Sequence, residues 1–250
     1  MKRVLVLIVM MLMLMGCAPI FYAPEPNLDF NALSRTVVML QKDKTIGSGV
    51  VIDSAGYIVT NQHVVAGCAV MDVHYLTADN QILQTSGDVI FEWPEGDLAV
   101  VKIAPISSLI PVSFGDADAL ELGDVIYSIG HPYKIEWTVT RGIVSAFRYD
   151  EIGIKTIQHD AGIAPGNSGG LLLNGRGELV GLNYAVACIQ LRVPSMMLYG
   201  MLGREDVPGG MYQIVPLKYS YALTGSLVQK FVAGVIAVDQ ELASNLHETN

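Results

Sequence analysis

The chain's most informative stretch reads Gly166-Asn167-Ser168-Gly169-Gly170, directly before the apolar run Leu171-Leu172-Leu173. Glycines on both sides of a serine allow a tight turn without a Cβ clash. In such a turn the N–H groups of Gly166 and Ser168 can converge on one point, as an oxyanion requires. The same residues also suit an ordinary turn between two strands, so the motif alone leaves both interpretations open.

A serine nucleophile needs a base, and the base needs a carboxylate that orients it. His63 follows the β-branched run 57–60 and two polar residues, which places its imidazole at the end of a predicted strand. His159, followed at once by Asp160, is the rival candidate for the base. The other histidines have weaker contexts: His74, His131 and His247.

Asp97 is the candidate for the orienting carboxylate. It directly precedes the apolar run 98–101, where a carboxylate can be held in a dry, hydrogen-bonded place. The stretch 94–97 is also favourable turn chemistry, which is the alternative interpretation of this aspartate. The order His63, Asp97, Ser168, with a matching context for each, favours catalysis more strongly than any one of these residues does.

Short runs of β-branched and aromatic residues recur along the chain between Gly, Asp, Asn or Pro. This pattern predicts an all-β fold. The exception is the segment from Leu217 to Val232, where apolar residues at mixed helical spacing predict a C-terminal helix. A single β-sandwich would explain the strands but not the candidate triad.

The chain resembles the trypsin-like serine peptidases, and within them the bacterial HtrA (Deg) type, over about residues 35 to 185. The motifs that carry the resemblance follow the family's order: 47–52, 56–65, 97–103, 158–161, 165–170 and 177–183. The resemblance implies that His63 is the general base, that Asp97 orients it and that Ser168 is the nucleophile. It also implies that the backbone N–H groups of Gly166 and Ser168 form the oxyanion hole.

The resemblance further implies two six-stranded antiparallel β-barrels of the chymotrypsin-like kind, with the site in the cleft between them. We expect the N-terminal barrel over residues 31–117, and the C-terminal barrel and helix over 118–235. Residues 236–250 are then expected to be a tail. The chain ends at Asn250, so we expect no PDZ domain of ordinary size after the protease.

Two positions near Ser168 bear on substrate and activation. Trypsin-like enzymes that cut after Arg or Lys carry an aspartate six residues before the nucleophile, where this chain has Gly162. We therefore predict cleavage after small or medium apolar residues, with Tyr212, Gln213 and Ile214 in the pocket wall by resemblance. Asn167 stands where digestive relatives have an aspartate that pairs with a newly cut N-terminus, so we predict no activation by N-terminal cleavage.

The N-terminus has a charged start at Lys2 and Arg3, an apolar run over 4–15, and then Gly16-Cys17. This run is too short to span a bilayer and is typical of a secretory signal. Residues 14–17 resemble a bacterial lipobox, which predicts a signal peptide over 1–16, lipidation at Cys17 and a tether over 17–30. An alanine after Cys17 suggests the periplasmic face of the outer membrane. A plain signal peptide is the alternative.

Composition limits the partners. The formal net charge is −9 and Lys and Arg form no cluster, which argues against nucleic acid. We predict no metal or cofactor, and expect unfolded or peptide substrates, a membrane reached through the lipid anchor, and, by resemblance, a homotrimer. Cys68 and Cys188 are either a disulfide or two free thiols, because sequence does not give their separation.

Three functions fit these observations. The first is a serine endopeptidase that acts on misfolded or exposed envelope proteins. The second is an inactive homologue that holds clients or acts as a scaffold lipoprotein. The third is an esterase or self-processing hydrolase with the same triad. The apolar segment 187–211 is expected either to pack on the second barrel or between subunits, or to offer an adaptable surface to unfolded substrates.

Overall fold

The computed structural model describes residues 27–193 and 211–248, and within these ranges it describes no side chains at 187–193, 211–218 and 246–248. The predicted signal peptide, Cys17, most of the tether and residues 194–210 lie outside the described part of the chain. So does the side chain of Cys188, and with it the predicted choice between a disulfide to Cys68 and two free thiols.

The first barrel closes in the order β1-β2-β3-β6-β5-β4, and each strand is antiparallel to its neighbours. Its interior is apolar because β-branched and other apolar side chains alternate inward along short strands. Val38, Leu40, Ile58 and Val101 are among the fully buried residues there. The strands are β1 (Val37–Lys42), β2 (Thr45–Val51), β3 (Tyr57–Thr60), β4 (Val70–Leu76), β5 (Ile82–Trp93) and β6 (Leu98–Lys102).

The second barrel closes in the order β10-β11-β12-β9-β8-β7, again antiparallel throughout. Two closed six-stranded barrels confirm the predicted chymotrypsin-like fold and exclude the single sandwich. The connection between the barrels runs over 103–124. The strands are β7 (Val125–Gly130), β8 (Thr138–Tyr149), β9 (Lys155–His159), β10 (Leu171–Asn174), β11 (Leu179–Val193) and β12 (Met211–Thr224).

An apolar core joins the two barrels. Val50, Val59 and Leu98 of the first barrel belong to the same buried cluster as Ile129 and Leu171 of the second. The indole N–H of Trp137 adds a polar link, since it donates to the carbonyl of Val37 at 3.0 Å. The barrels therefore meet through a dry interface, and the turns at its edge are held at fixed separations.

Three α-helices accompany the barrels in the described residues: α1 (Phe30–Ser34), α2 (Gln62–Val65) and α3 (Gly225–Glu248). The helix predicted over 217–232 is wrong at both ends, and residues 236–248 are helical rather than a tail. Residues 220–223 instead pair with β9 and continue β12. Val228, Val232 and Val235, four and three residues apart, bury one face of α3. None of the described helices is both long and apolar enough to cross a membrane.

The ends of the segment 187–211 extend a hairpin. Backbone pairing between β11 and β12 continues from Cys188 opposite Pro216 to Val193 opposite Met211, beyond register shifts at 183–185 and 186–188. The predicted apolar surface or subunit contact of this segment rests on side chains outside the described part, so it stays a prediction.

Candidate active site

His63 lies in α2, immediately after β3 has ended at Thr60. Val64 and Val65 of the same turn are buried in the core of the first barrel and fix the turn in place. Gly47 lies beneath Val64, where a Cβ would crowd the valine side chain. The His63 side chain keeps 48% of its surface exposed, so the imidazole lies at the cleft and not in the core.

Asp97 holds the imidazole of His63 in one orientation. Nδ1 of His63 lies 2.9 Å from each carboxylate oxygen of Asp97, and the backbone N–H of His63 donates to Oδ1 at 3.1 Å. Because an ionised carboxylate only accepts hydrogen bonds, Nδ1 carries the hydrogen and Nε2 is left to accept a proton. Asp97 follows a 3-10 turn over 94–96 and has a left-handed backbone, φ 49°, which few non-glycine residues adopt.

Ser168 lies in a turn that two left-handed glycines shape. Gly166 has φ 103° and Gly169 has φ 78°, and a Cβ at Gly169 would collide with the carbonyl of Ser48 and the hydroxyl of Thr60. Among the described residues, no acceptor pairs with the N–H of Gly166 or of Ser168. Two free N–H groups in one glycine-shaped turn suit an oxyanion.

Three hydrogen bonds to residues of the first barrel hold this turn from the other side of the cleft. The N–H of Ser48 donates to the Ser168 carbonyl at 2.7 Å, and the Ser48 hydroxyl donates to the Gly166 carbonyl at 2.8 Å. Oδ1 of Asn61 accepts from the N–H of Gly169 at 2.6 Å. The structure thus brings the turns that carry His63 and Ser168 against each other.

His131 fixes the Ser48 hydroxyl. Its Nδ1 lies 2.9 Å from Ser48 Oγ, whose proton is already given to Gly166, so Nδ1 carries a hydrogen and donates. Burial, with a smaller contribution from the nearby His74, lowers the pKa of His131 to about 3. His131 is therefore neutral at physiological pH.

His159, the rival base, lies in the interior of the second barrel, at the end of β9. It is fully buried, and its Nε2 lies 3.1 Å from Oδ1 of Asn183. The amide nitrogen of Asn183 donates elsewhere, to Ser128 and Leu171, so its Oδ1 must accept from His159. Burial lowers the pKa of His159 to about 4, although the bond to Asn183 opposes this. His63, and not His159, therefore makes the contact to Asp97.

The residues predicted for the substrate pocket are not brought together. Gly162 is exposed, and no atom of the described residues lies within 4 Å of where its Cβ would be. Ser220 of β12 contacts this loop, because its hydroxyl donates to the Ala161 carbonyl at 3.0 Å. Tyr212, Gln213 and Ile214 pair instead with residues 190–192 of β11, and Ile214 is about 20 Å along an extended strand from Ser220.

Sequence reasoning missed Asn61, Ser48 and His131 as parts of the site. Ser48 and Asn61 lie inside two of the quoted motifs, but their partners are 118 and 108 positions away in sequence, respectively. Within the described residues, no group of three or more His, Cys, Asp or Glu could hold a metal ion.

Comparison with known proteins agrees with this geometry. The family model described as "Trypsin-like peptidase domain" matches residues 47–182, more than half of the chain. The chain belongs to this family. The matched range contains all three residues of the predicted triad, and the described barrels contain it entirely.

Individual members of the trypsin-like peptidases narrow the resemblance to the HtrA type. The chain is 40% identical over 151 residues to periplasmic serine endoprotease DegP of Salmonella typhimurium, covering 58% of this chain and 31% of that one. It is 42% identical over 151 residues to putative serine protease HhoA of Synechocystis, covering 56% and 36%. The chain spans about a third of the length of these curated relatives.

A solved structure extends the likeness to the fold. The HtrA-type protease AlgW, solved with a tripeptide, superposes with a TM-score of 0.64 at 31% identity, covering 82% of this chain and 62% of that one. A serine endoprotease from Yersinia pestis gives 0.63 at 28% identity, covering 84% and 67%. The predicted HtrA-type resemblance is confirmed.

Proposed function

We propose that this chain is a serine endopeptidase that cuts misfolded or exposed proteins of the bacterial envelope with His63, Asp97 and Ser168. The observation that carries the proposal is the oriented imidazole, since both carboxylate oxygens of Asp97 lie 2.9 Å from Nδ1 of His63. Hydrogen bonds to Ser48 and Asn61 hold the turn of Ser168 against the barrel that carries this pair. The names of two relatives, periplasmic serine endoprotease DegP and putative serine protease HhoA, support the same reaction.

The chemistry follows from these positions. Nε2 of His63 takes the proton of the Ser168 hydroxyl as its oxygen bonds to the carbonyl carbon of the substrate. The N–H groups of Gly166 and Ser168 bind the oxyanion that forms. The imidazolium then gives its proton to the leaving amine as the peptide bond breaks. Water, activated by His63, finally releases the acyl group from Ser168.

The substrate preference rests on Gly162. Glycine brings no charged side chain to this position, and no atom of the described residues lies within 4 Å of where its Cβ would be. Without a carboxylate here to attract Arg or Lys, we expect small or medium apolar side chains before the cut. The pocket wall that was predicted at 212–214 is better sought in the part of β12 around Ser220, because that residue contacts the loop before Gly162.

Casein, which is largely unfolded, tests the reaction. The wild type is expected to degrade it, whereas a Ser168→Ala variant of equal thermal stability is expected to leave it intact. Equal degradation by both would contradict the proposal. Hydrolysis of small esters with no effect on casein would favour the esterase alternative, and inertness toward both would favour the inactive client-holding homologue.

The cell-envelope setting is part of the proposal. Lipidation at Cys17 would place the protease at the membrane, on the periplasmic face of the outer membrane by the sorting rule for Ala18. A Cys17→Ser variant is then expected in the soluble periplasmic fraction, and retention in the membrane fraction would contradict the anchor. A homotrimer, as in other HtrA proteins, is expected from light scattering of the chain without its lipid.

A further inference from the structure

The side-chain amide of Asn61 spans the cleft between the two barrels. Its Nδ2 donates to the backbone carbonyl of Asp97 at 3.0 Å, in the first barrel. Its Oδ1 accepts from the N–H of Gly169 at 2.6 Å, in the second barrel and next to Ser168. Asn61 is fully buried, so water does not compete for either bond. One planar group therefore touches both halves of the predicted triad.

The side-chain amide of Asn61 makes its hydrogen bonds across the cleft and not to its own helix, α2. Asn61 is the N-cap residue of α2, a position where asparagine commonly accepts a hydrogen bond from its own helix. Its side chain makes no such bond here. The N–H of His63, which a cap would satisfy, donates instead to Oδ1 of Asp97. The carboxylate of Asp97 therefore accepts the hydrogen bond that a capping side chain would accept, and the Asn61 amide is available to bridge the two barrels.

The bridge ends in the second barrel at the N–H of Gly169, which has two acceptors. The N–H of Gly169 is shared between Asn61 Oδ1 and the carbonyl of Asn183, at 2.6 and 2.8 Å. Asn183 belongs to the second barrel, so of these two acceptors only Asn61 ties Gly169 to the first barrel. When Asn61 is replaced, Gly169 keeps one acceptor, and the turn can still fold.

We infer that Asn61 is a positioning residue that sets the distance between the His63–Asp97 pair and the Ser168 hydroxyl. This role rests on the proposed function. Proton transfer from Ser168 to His63 needs their atoms at hydrogen-bond distance, and a displacement of about 1 Å can reduce the rate about a hundredfold. Among side chains of this length, only the amide offers both a donor and an acceptor, so leucine and aspartate each break the bridge.

The test compares Asn61→Leu and Asn61→Asp with the control Gln62→Leu. The neighbouring Gln62 also carries an amide, but its Nε2 contacts Glu92 at 2.7 Å on the exposed side of the first barrel. The measurements are kcat and KM on a chromogenic peptide, the rate of labelling by a fluorophosphonate, and Tm. Both Asn61 variants are expected to lose about 10- to 100-fold in kcat and labelling, with KM changed less than about twofold.

The outcomes separate this inference from the proposed function. A wild type that is neither labelled nor active would overturn both. An active wild type with Asn61 variants at full kcat would overturn the positioning role alone. Loss in Asn61→Leu but not in Asn61→Asp would overturn the two-ended bridge, because aspartate keeps the acceptor for Gly169 and lacks the donor for Asp97. A fall in Tm with unchanged kcat would show a structural role and overturn the inference.

Discussion

Gly162 is the residue through which substrate preference is most directly open to change. A Cβ there comes within 4 Å of no atom of the described residues, so a larger side chain fits without displacing any of them. Its backbone lies in the loop that follows β9. The last residue of β9, His159, pairs with Ser220 of β12. The charge at this one position can therefore be changed while the barrels stay as they are.

We expect Gly162→Asp to shift cleavage toward Arg and Lys before the cut, because a carboxylate attracts these side chains. A panel of peptides that differ only at that residue should show a gain of about tenfold or more in relative kcat/KM for Arg and Lys. Gly162→Asn, of the same size and without charge, is the control. If both variants changed the preference alike, shape and not charge would govern the pocket.

At the residue scale, the sequence supported predictions about side chains whose chemistry is local, and it failed on those whose role depends on distant contacts. His63 and Asp97 were predicted as a pair, and the structure shows their contact. The nucleophilic role of Ser168 stays a prediction. Asn61 and Ser48 read as ordinary polar residues, since only folding brings Gly169 and Gly166 to them.

At the element scale, the C-terminal helix α3 packs against the first barrel. The hydroxyl of Tyr57 in β3 donates to Asp239 Oδ2 of α3 at 2.6 Å. Phe231 of the helix stacks on Trp93, with ring centroids 6.0 Å apart, and contacts Phe91 edge-on at 5.8 Å. The predicted start of this helix at Leu217 failed because apolar residues at mixed spacing also suit a strand, and pairing with β9 decided between them.

The bond between Tyr57 and Asp239 makes α3 sensitive to alkaline pH. The hydrogen bond to Asp239, with burial and the charges of Asp239 and Asp53, raises the pKa of Tyr57 from 10.0 to about 12. A pKa raised by folding contributes stability that is complete below pH 10 and is lost as the pH rises toward 12.

Tyr57→Phe is therefore expected to lower the free energy of unfolding by about 1 kcal/mol at pH 7. It is also expected to remove part of the further loss that the wild type shows between pH 10 and 12. Urea unfolding at pH 7, 10 and 11.5 measures both effects. Tyr149→Phe, at a tyrosine that is 69% exposed, is the control and should follow the wild type. Identical pH dependence in all three proteins would contradict the account.

At the scale of the whole molecule, hydrogen-bonded side chains fix the position of the two barrels relative to each other across an apolar interface. Ser48 and His131 form one bridge, and His131 is buried and neutral because its pKa is lowered to about 3. The unfolded chain binds a proton at this histidine near pH 6.5, and the folded chain does not. Stability from this group is therefore complete above pH 6.5 and falls as the pH drops toward 3.

We expect His131→Asn to flatten the dependence of unfolding free energy on pH between 6.5 and 4. If unfolding takes up one proton fewer, the slope of the unfolding free energy against pH falls by at most about 1.4 kcal/mol per pH unit. Urea unfolding at intervals of half a pH unit measures the slope. His74→Asn, at a half-buried histidine, is the control and should keep most of the wild-type slope. Parallel slopes for wild type and His131→Asn would show that His131 is not the group that takes up the proton.

The architecture as a whole was predictable because many short strands and ordered motifs all favour one fold. What the sequence did not predict lies where two distant segments meet: the bridges of Asn61 and Ser48, the register of the long β11–β12 hairpin, and the course of α3. Each depends on pairing geometry that no local pattern contains.

The central claim is that folding makes Ser168 the reactive nucleophile of His63 and Asp97, and a fluorophosphonate with peptide mapping by mass spectrometry tests it most directly. The account predicts one adduct per chain, on Ser168, with none in Ser168→Ala. It also predicts labelling slowed by about a thousandfold or more in folded Asp97→Asn. An adduct on another residue, or equal labelling of wild type and Ser168→Ala, would contradict the account.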